Sequence, residues 1–160
     1  MIDEKQIRDW LADEGLFKEK IHDDSATFHF IINYPEGHVM DLIQPKGKDD
    51  LIIIGCATEV APEQLSAIRT SSEIKKQEFI WELRLSLNQF LLDLNLNHPN
   101  NELQSFFITD DIFEDGLTKN NLMSVIKKVF KGNLHCIWLL GKYFGEIDPD
   151  AIGDGNIMFE

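Results

Sequence analysis

The sequence predicts an α+β fold: a two-layer sandwich, elements in the order α-β-β-β-α-β-α, with long helices packed on one face of an antiparallel sheet. Three observations carry that expectation. From Ala26 to Tyr34 the side chains alternate, with Phe28, Phe30 and Ile32 on one face and Thr27, His29, Ile31 and Asn33 on the other, which is the period of a strand. The run Leu51-Ile52-Ile53-Ile54-Gly55-Cys56-Ala57 is apolar without a break, so as a strand it is greasy on both faces. Two longer stretches, Glu73 to Leu94 and Thr118 to Phe144, repeat apolar residues at helical spacing.

Taken in order, Asp3 can cap a first helix that places Ile7, Trp10 and Leu11 on one face, and Gly15 ends it. The alternating strand is followed by the turn Pro35-Glu36-Gly37, a second strand from His38 to about Gln44, a turn over Pro45 to Asp50, and the Leu51 strand. Connections this short imply an antiparallel meander. Pro62 suits the first turn of a short helix through Leu65 and Ile68. Ser72 can cap the long helix that follows. Ile80, Leu83, Leu87, Phe90, Leu91 and Leu94 form its main stripe, and Phe79, Trp81, Leu85 and Leu92 widen the apolar surface to most of the circumference. A helix of that kind is expected to be buried on more than one side.

The polar cluster from Asn97 to Asn101 stops it, and Gln104 to Thr109 reads as a fourth strand, with Phe106 and Ile108 opposite Phe107. Asp110 to Gly116 is an acidic connection that can hold a short edge strand near Ile112-Phe113. Thr118 caps a last helix to about Phe144. Gly132-Asn133 could break it and leave Leu134 to Leu140 as a strand, but Lys127, Lys128 and Lys131 stay in helical phase and no turn cluster follows, which favours one helix. The expected organisation is one domain over residues 1–145 and an acidic tail over 146–160.

Composition narrows the function. The chain has 160 residues, 43% hydrophobic and 27% charged, with a formal net charge of −13. Nucleic acid and anionic membrane are polyanions, so that charge argues against both as partners. Met1 to Lys5 is polar, and no apolar run reaches the length of a bilayer span. Cys56 and Cys136 are far apart, lie in apolar runs and form no CxxC pair, which fits buried free thiols in a reducing compartment. A cytoplasmic protein is expected.

No catalytic signature stands out. GxSxG, GxGxxG, a Walker loop and HExxH are all absent. Cys56 has no adjacent base, and the consecutive His135-Cys136 point about 100° apart on a helix. The paired aspartates 23–24, 49–50 and 110–111 fall in turns, where aspartate is favoured for backbone reasons. His29 and His38 flank the first hairpin, and with Asp41 they could form a divalent-metal triad, although no closed ligand set is visible. In the tail, Asp148, Asp150 and Gly153 match positions of a calcium loop, but Ile152 and Phe159 stand where oxygen ligands belong. Lys119, Lys127, Lys128 and Lys131 are expected to form the solvated back of the last helix. No cofactor, metal or catalytic residue is therefore assigned.

The segment Asp115-Gly116-Leu117-Thr118-Lys119-Asn120-Asn121-Leu122, then Ile126-Lys127-Lys128-Val129-Phe130 and Ile137-Trp138-Leu139-Leu140-Gly141, resembles a small uncharacterised family found in archaea and some bacteria. The order of elements resembles the two-layer fold of type III secretion chaperones and their YbjN-like relatives. That resemblance implies non-catalytic protein binding, often as a homodimer, and carries no activity to any residue.

The expected function is thus a protein-binding or chaperone-like module acting as a homodimer. If helices cover one sheet face, the other exposes apolar residues, and Ile52, Ile54, Cys56 and Phe107 are the candidate interface. The alternatives are a small metal-dependent enzyme built around the first hairpin, or a small-molecule sensor with a pocket between the long helix and the sheet, near Trp81 and Trp138.

Overall fold

The computed structural model describes residues 1–35 and 37–146. Helix α1 (Glu4–Asp13) starts where the Asp3 carboxylate accepts hydrogen bonds from the backbone N–H groups of Lys5 and Gln6, and it buries Ile7 and Leu11. Strands β1 (Phe17–Ile21), β2 (Ala26–Asn33), β3 (Val39–Pro45) and β4 (Leu51–Glu59) follow as a meander. Helix α2 (Pro62–Thr70) has proline in its first turn. Helix α3 (Glu73–Leu87) is capped by Ser72, whose hydroxyl oxygen accepts from the Lys75 N–H. Strands β5 (Asp93–Asn97) and β6 (Ser105–Phe113) then form a hairpin, and helix α4 (Lys119–Phe144) closes the described chain.

The strands form one antiparallel sheet in the order β1-β2-β3-β4-β6-β5. The outermost strands are short and polar. β1 exposes Lys18, Glu19 and Lys20, and β5 exposes Asp93, Asn95 and Asn97. The core lies between the sheet and the helices. Phe28, Phe30, Ile32, Met40, Leu42, Ile52, Ile54, Phe106 and Ile108 meet Ile7, Leu11, Phe79, Leu83, Leu122, Ile126 and Val129 in a single apolar cluster. The α+β two-layer arrangement read from the sequence is the one observed.

Four elements differ in detail. β1 and β5 complete the sheet beyond the four expected strands. Helix α3 stops at Leu87 rather than Leu94, because a 3-10 turn over Asn88–Phe90 ends at Leu91 in the left-handed region, φ 57°. That residue redirects the chain into β5. Strand β6 continues to Phe113 and pairs with β4 along its length, from Ser105 opposite Glu59 to Phe113 opposite Leu51.

Helix α4 runs unbroken through Gly132-Asn133, and both residues have a packing role there. A Cβ on Gly132 would lie 2.5 Å from Leu92 Cδ1, so the glycine allows the helix to close on the segment entering β5. Asn133 is fully buried and accepts a 2.7 Å hydrogen bond from the Thr58 hydroxyl on β4.

Candidate functional site

The open side of the sheet is the surface left after the helices are placed. The pleat sends Ile31, Ile43, Ile53, Ala57 and Phe107 to it, opposite the buried set. Ile43 is the cross-strand partner of Ile53, and Ala57 is the partner of Phe107. The isoleucines and Ala57 are half-buried, and Phe107 is 37% exposed. Phe113 extends the line and is half exposed. Glu19 and Asp93 stand on the outer strands, while Asp41 lies between Ile31 and Gly55 and Asp111 lies opposite Ile53, so acidic groups are set among the apolar residues as well as at the margins.

Of the candidate interface residues, only Phe107 lies on this face. Ile52, Ile54 and Cys56 are fully buried beneath the helices. Register explains the correction. Ile54 pairs with Leu42 and Cys56 with Ile108, both of which face the core, so Ile53 and Ala57 are the β4 residues turned outward.

The polar feature of the open face is a bridge. His29 Nδ1 lies 2.9 Å from Asp23 Oδ2, and His29 Nε2 lies 2.6 Å from Asp41 Oδ1. Carboxylates accept, so an imidazole protonated on both nitrogens can donate to both. Asp23 also accepts from the backbone N–H and hydroxyl of Ser25. The hydroxyl bond is the main reason its carboxyl is lowered to about 2, with His29 adding to the effect. Burial raises the Asp41 carboxyl above its ordinary value, against the pull of His29. His38 does not join them; its ring packs edge-on against Phe130 of α4, 5.6 Å between centroids. The triad of His29, His38 and Asp41 is therefore not brought together, and among the described residues no group of three or more His, Cys, Asp or Glu side chains is placed to hold a metal ion.

The thiols are sealed in. Burial pushes Cys56 up to about 12 and raises Cys136 as well, and neither is reachable as a nucleophile. A serine–histidine contact that the sequence did not suggest joins α3 to α4: His135 Nε2 lies 2.7 Å from Ser86 Oγ. Ser86 spends its one hydroxyl proton on the Glu82 carbonyl, 2.6 Å away, so the ring N–H donates to the serine. The contact thus ties two helices and does not activate an alcohol.

The lysines of α4 are partly engaged. Lys119 pairs with Glu14 at 2.9 Å and Lys128 with Asp110 at 2.6 Å. The space between the long helix and the sheet is filled by the core. A depression near Trp81, about 720 Å³, instead lies on the outside of α3, with Tyr143 of α4 on its wall. The calcium-loop stretch of residues 148–159 and most of the acidic tail lie outside the described residues. No helix among the described residues is long and apolar enough to cross a membrane.

Residues 3–140 match the family model of an "Uncharacterized conserved protein (DUF2299)". A crystal structure of an uncharacterized protein from Methanothermobacter thermautotrophicus is similar at 47% identity and a TM-score of 0.87, over 90% of this chain and 100% of that one. The crystal structure of YbjN from E. coli aligns with a TM-score of 0.44 and 14% identity, over 99% of this chain and 96% of that one. No curated protein matches the chain. The chain belongs to the DUF2299 family, whose function is uncharacterised.

Proposed function

We propose that the protein is a non-catalytic, chaperone-like protein-binding module and that it acts as a homodimer through the open face of its sheet. One observation carries this reading. Ile31, Ile43, Ile53, Ala57, Phe107 and Phe113 stand together on a face that no helix among the described residues covers. Full burial of a large apolar side chain contributes about 1.5–3 kcal/mol, and the half-buried ones retain part of that to gain. Apolar surface gathered on one exposed face is the usual mark of a contact site. A two-fold pair suits it because the same patch meets itself.

The acidic groups of this face shape the expected behaviour. Like charges meet across a symmetric contact, so raising the salt concentration strengthens the pair. Size-exclusion chromatography with light scattering tests the proposal. A mass about twice the 18.4 kDa chain is expected, falling to the monomer in Phe107→Asp. A wild-type monomer at high micromolar concentration would overturn it.

A further inference from the structure

Helix α3 carries two apolar stripes, and the fold uses one. Phe79, Ile80, Leu83 and Leu87 are buried against the rest of the molecule. Ile74, Trp81 and Leu85 lie outside that contact, 70%, 52% and 65% exposed. Their spacing of seven and then four residues is that of a coiled-coil seam. The stripe covers three helical turns, about 16 Å along the axis. The expectation that this helix is buried on more than one side is therefore unmet within the described chain.

Alongside the stripe runs the depression lined by Gln77, Glu78, Trp81, Glu82, Leu85 and Tyr143. Its charged lining groups are two carboxylates, with no basic side chain among them. Their field is felt by Tyr143, whose phenol is raised above its ordinary value by burial first, then by Glu82 and Glu78. Glu82 interacts with the Tyr143 hydroxyl and, through Oε1, with the exposed Lys142 at 3.7 Å, and its Oε2 is buried with no well-placed donor. A buried carboxylate oxygen without a donor is costly to leave so. Outside the groove, Arg84 lies over the Trp81 ring at 5.6 Å and is already engaged with His98.

We propose that this groove receives a basic amphipathic helix from another protein. Apolar side chains of that helix pack along Ile74, Trp81 and Leu85, and its Lys or Arg side chains reach Glu78 and Glu82. A second copy of this chain is a poor occupant. A two-fold contact here would set Glu78 and Glu82 near their own counterparts, in two molecules that each carry −13. The proposal does not rest on dimerisation through the sheet, which uses the other layer of the molecule.

Fluorescence anisotropy with a labelled Leu/Lys amphipathic helix of about four turns tests it on the full chain, beside a scrambled peptide of the same composition and a Leu/Glu peptide of the same pattern. The Leu/Lys helix is expected to bind, the scramble about tenfold more weakly, and the Leu/Glu helix not at all. Trp81→Ala and Leu85→Ser are each expected to weaken binding about tenfold, in the manner of interface anchors. Both residues are exposed, so Tm should not move. Phe107→Asp should leave the affinity unchanged. Equal binding of the scramble would overturn the proposal, since charge alone would then explain it. So would full binding by Trp81→Ala, or a Trp81→Ala change in the particle mass, which would assign the groove to a second copy.

Discussion

The Phe107 ring lies over the bare backbone of Gly55: a Cβ built on Gly55 would come within 3.1 Å of two ring atoms, Cε2 and Cζ. An aromatic side chain over a cross-strand glycine fills the missing side chain's place and draws the ring toward the sheet. Phe107 stays 37% exposed in that position, so its ring presents a face to whatever covers the sheet.

Gly55→Ala separates stability from association. The new methyl pushes the ring outward by a few tenths of an ångström and itself lies 3.2 Å from Thr109 Cγ2. Alanine regains about 0.5–1 kcal/mol of chain entropy in a strand, which offsets the crowding. Urea unfolding of the monomer is expected to shift by less than about 1 kcal/mol. Light scattering should nonetheless show weakened self-association, because the contact surface is reshaped.

The His29 bridge gives a prediction of polar satisfaction. His29→Ala leaves the partly buried Asp41 carboxylate without its 2.6 Å partner. The loss expected in chemical denaturation is about 1–3 kcal/mol. Adding Asp41→Ala should recover part of it, since the orphaned acceptor is then gone. Purified wild-type protein and His29→Ala should carry the same metal content.

Thr58 and Asn133 are a buried pair suited to a double-mutant cycle. Thr58→Val alone removes the donor to the Asn133 oxygen, and the Asn133 amide nitrogen is already buried without a partner. A cost of about 1–3 kcal/mol is expected. Combining Thr58→Val with Asn133→Leu makes the contact apolar on both sides, and the double variant should be more stable than Thr58→Val alone. Thermal unfolding of the four proteins measures the coupling.

Acid and neutral pH should separate two aspartates of the open face. The folded Asp23 carboxyl sits at about 2, below its ordinary 3.8. Its contribution is present above pH 4 and is lost as pH falls toward 2. Asp111 is shifted the other way, by burial first and then by Asp93 and Asp110. Its unfolded carboxyl ionises first, so stability declines as pH rises from 3.8 through the folded value. Asp111→Asn is therefore expected to stabilise the protein at pH 7 by about 0.5 kcal/mol, the scale of exposed charge interactions. The gain should vanish below pH 3.8, as read by Tm against pH.

The layer order, the meander and both long helices were legible because their apolar periods are long and clear. β1 was not. Its sequence Phe17-Lys18-Glu19-Lys20-Ile21 forms an edge, and its register shifts between Phe17 and Glu19, so no alternation survives. β5 was hidden by coincidence: Leu87, Phe90, Leu91 and Leu94 continue the helical period of α3, and nothing in that pattern announces the left-handed Leu91. The open face was legible at Phe107, where Phe106 and Ile108 alternate with it, but not on β4. A strand apolar at every position does not reveal its inward set; pairing of Ile54 with Leu42 does. The His29 bridge was half visible, with Asp41 diagonally across the hairpin, while its other arm, Asp23, precedes the strand in a turn.

The two border strands govern how this molecule can aggregate. Adding a strand beside Lys18, Glu19 and Lys20, or beside Asp93, Asn95 and Asn97, would strip water from ions and amides with little hydrocarbon gained in return. Ribbon growth is thereby blocked at both margins. Concentrated solutions of this protein are expected to hold finite particles and to leave thioflavin T dark.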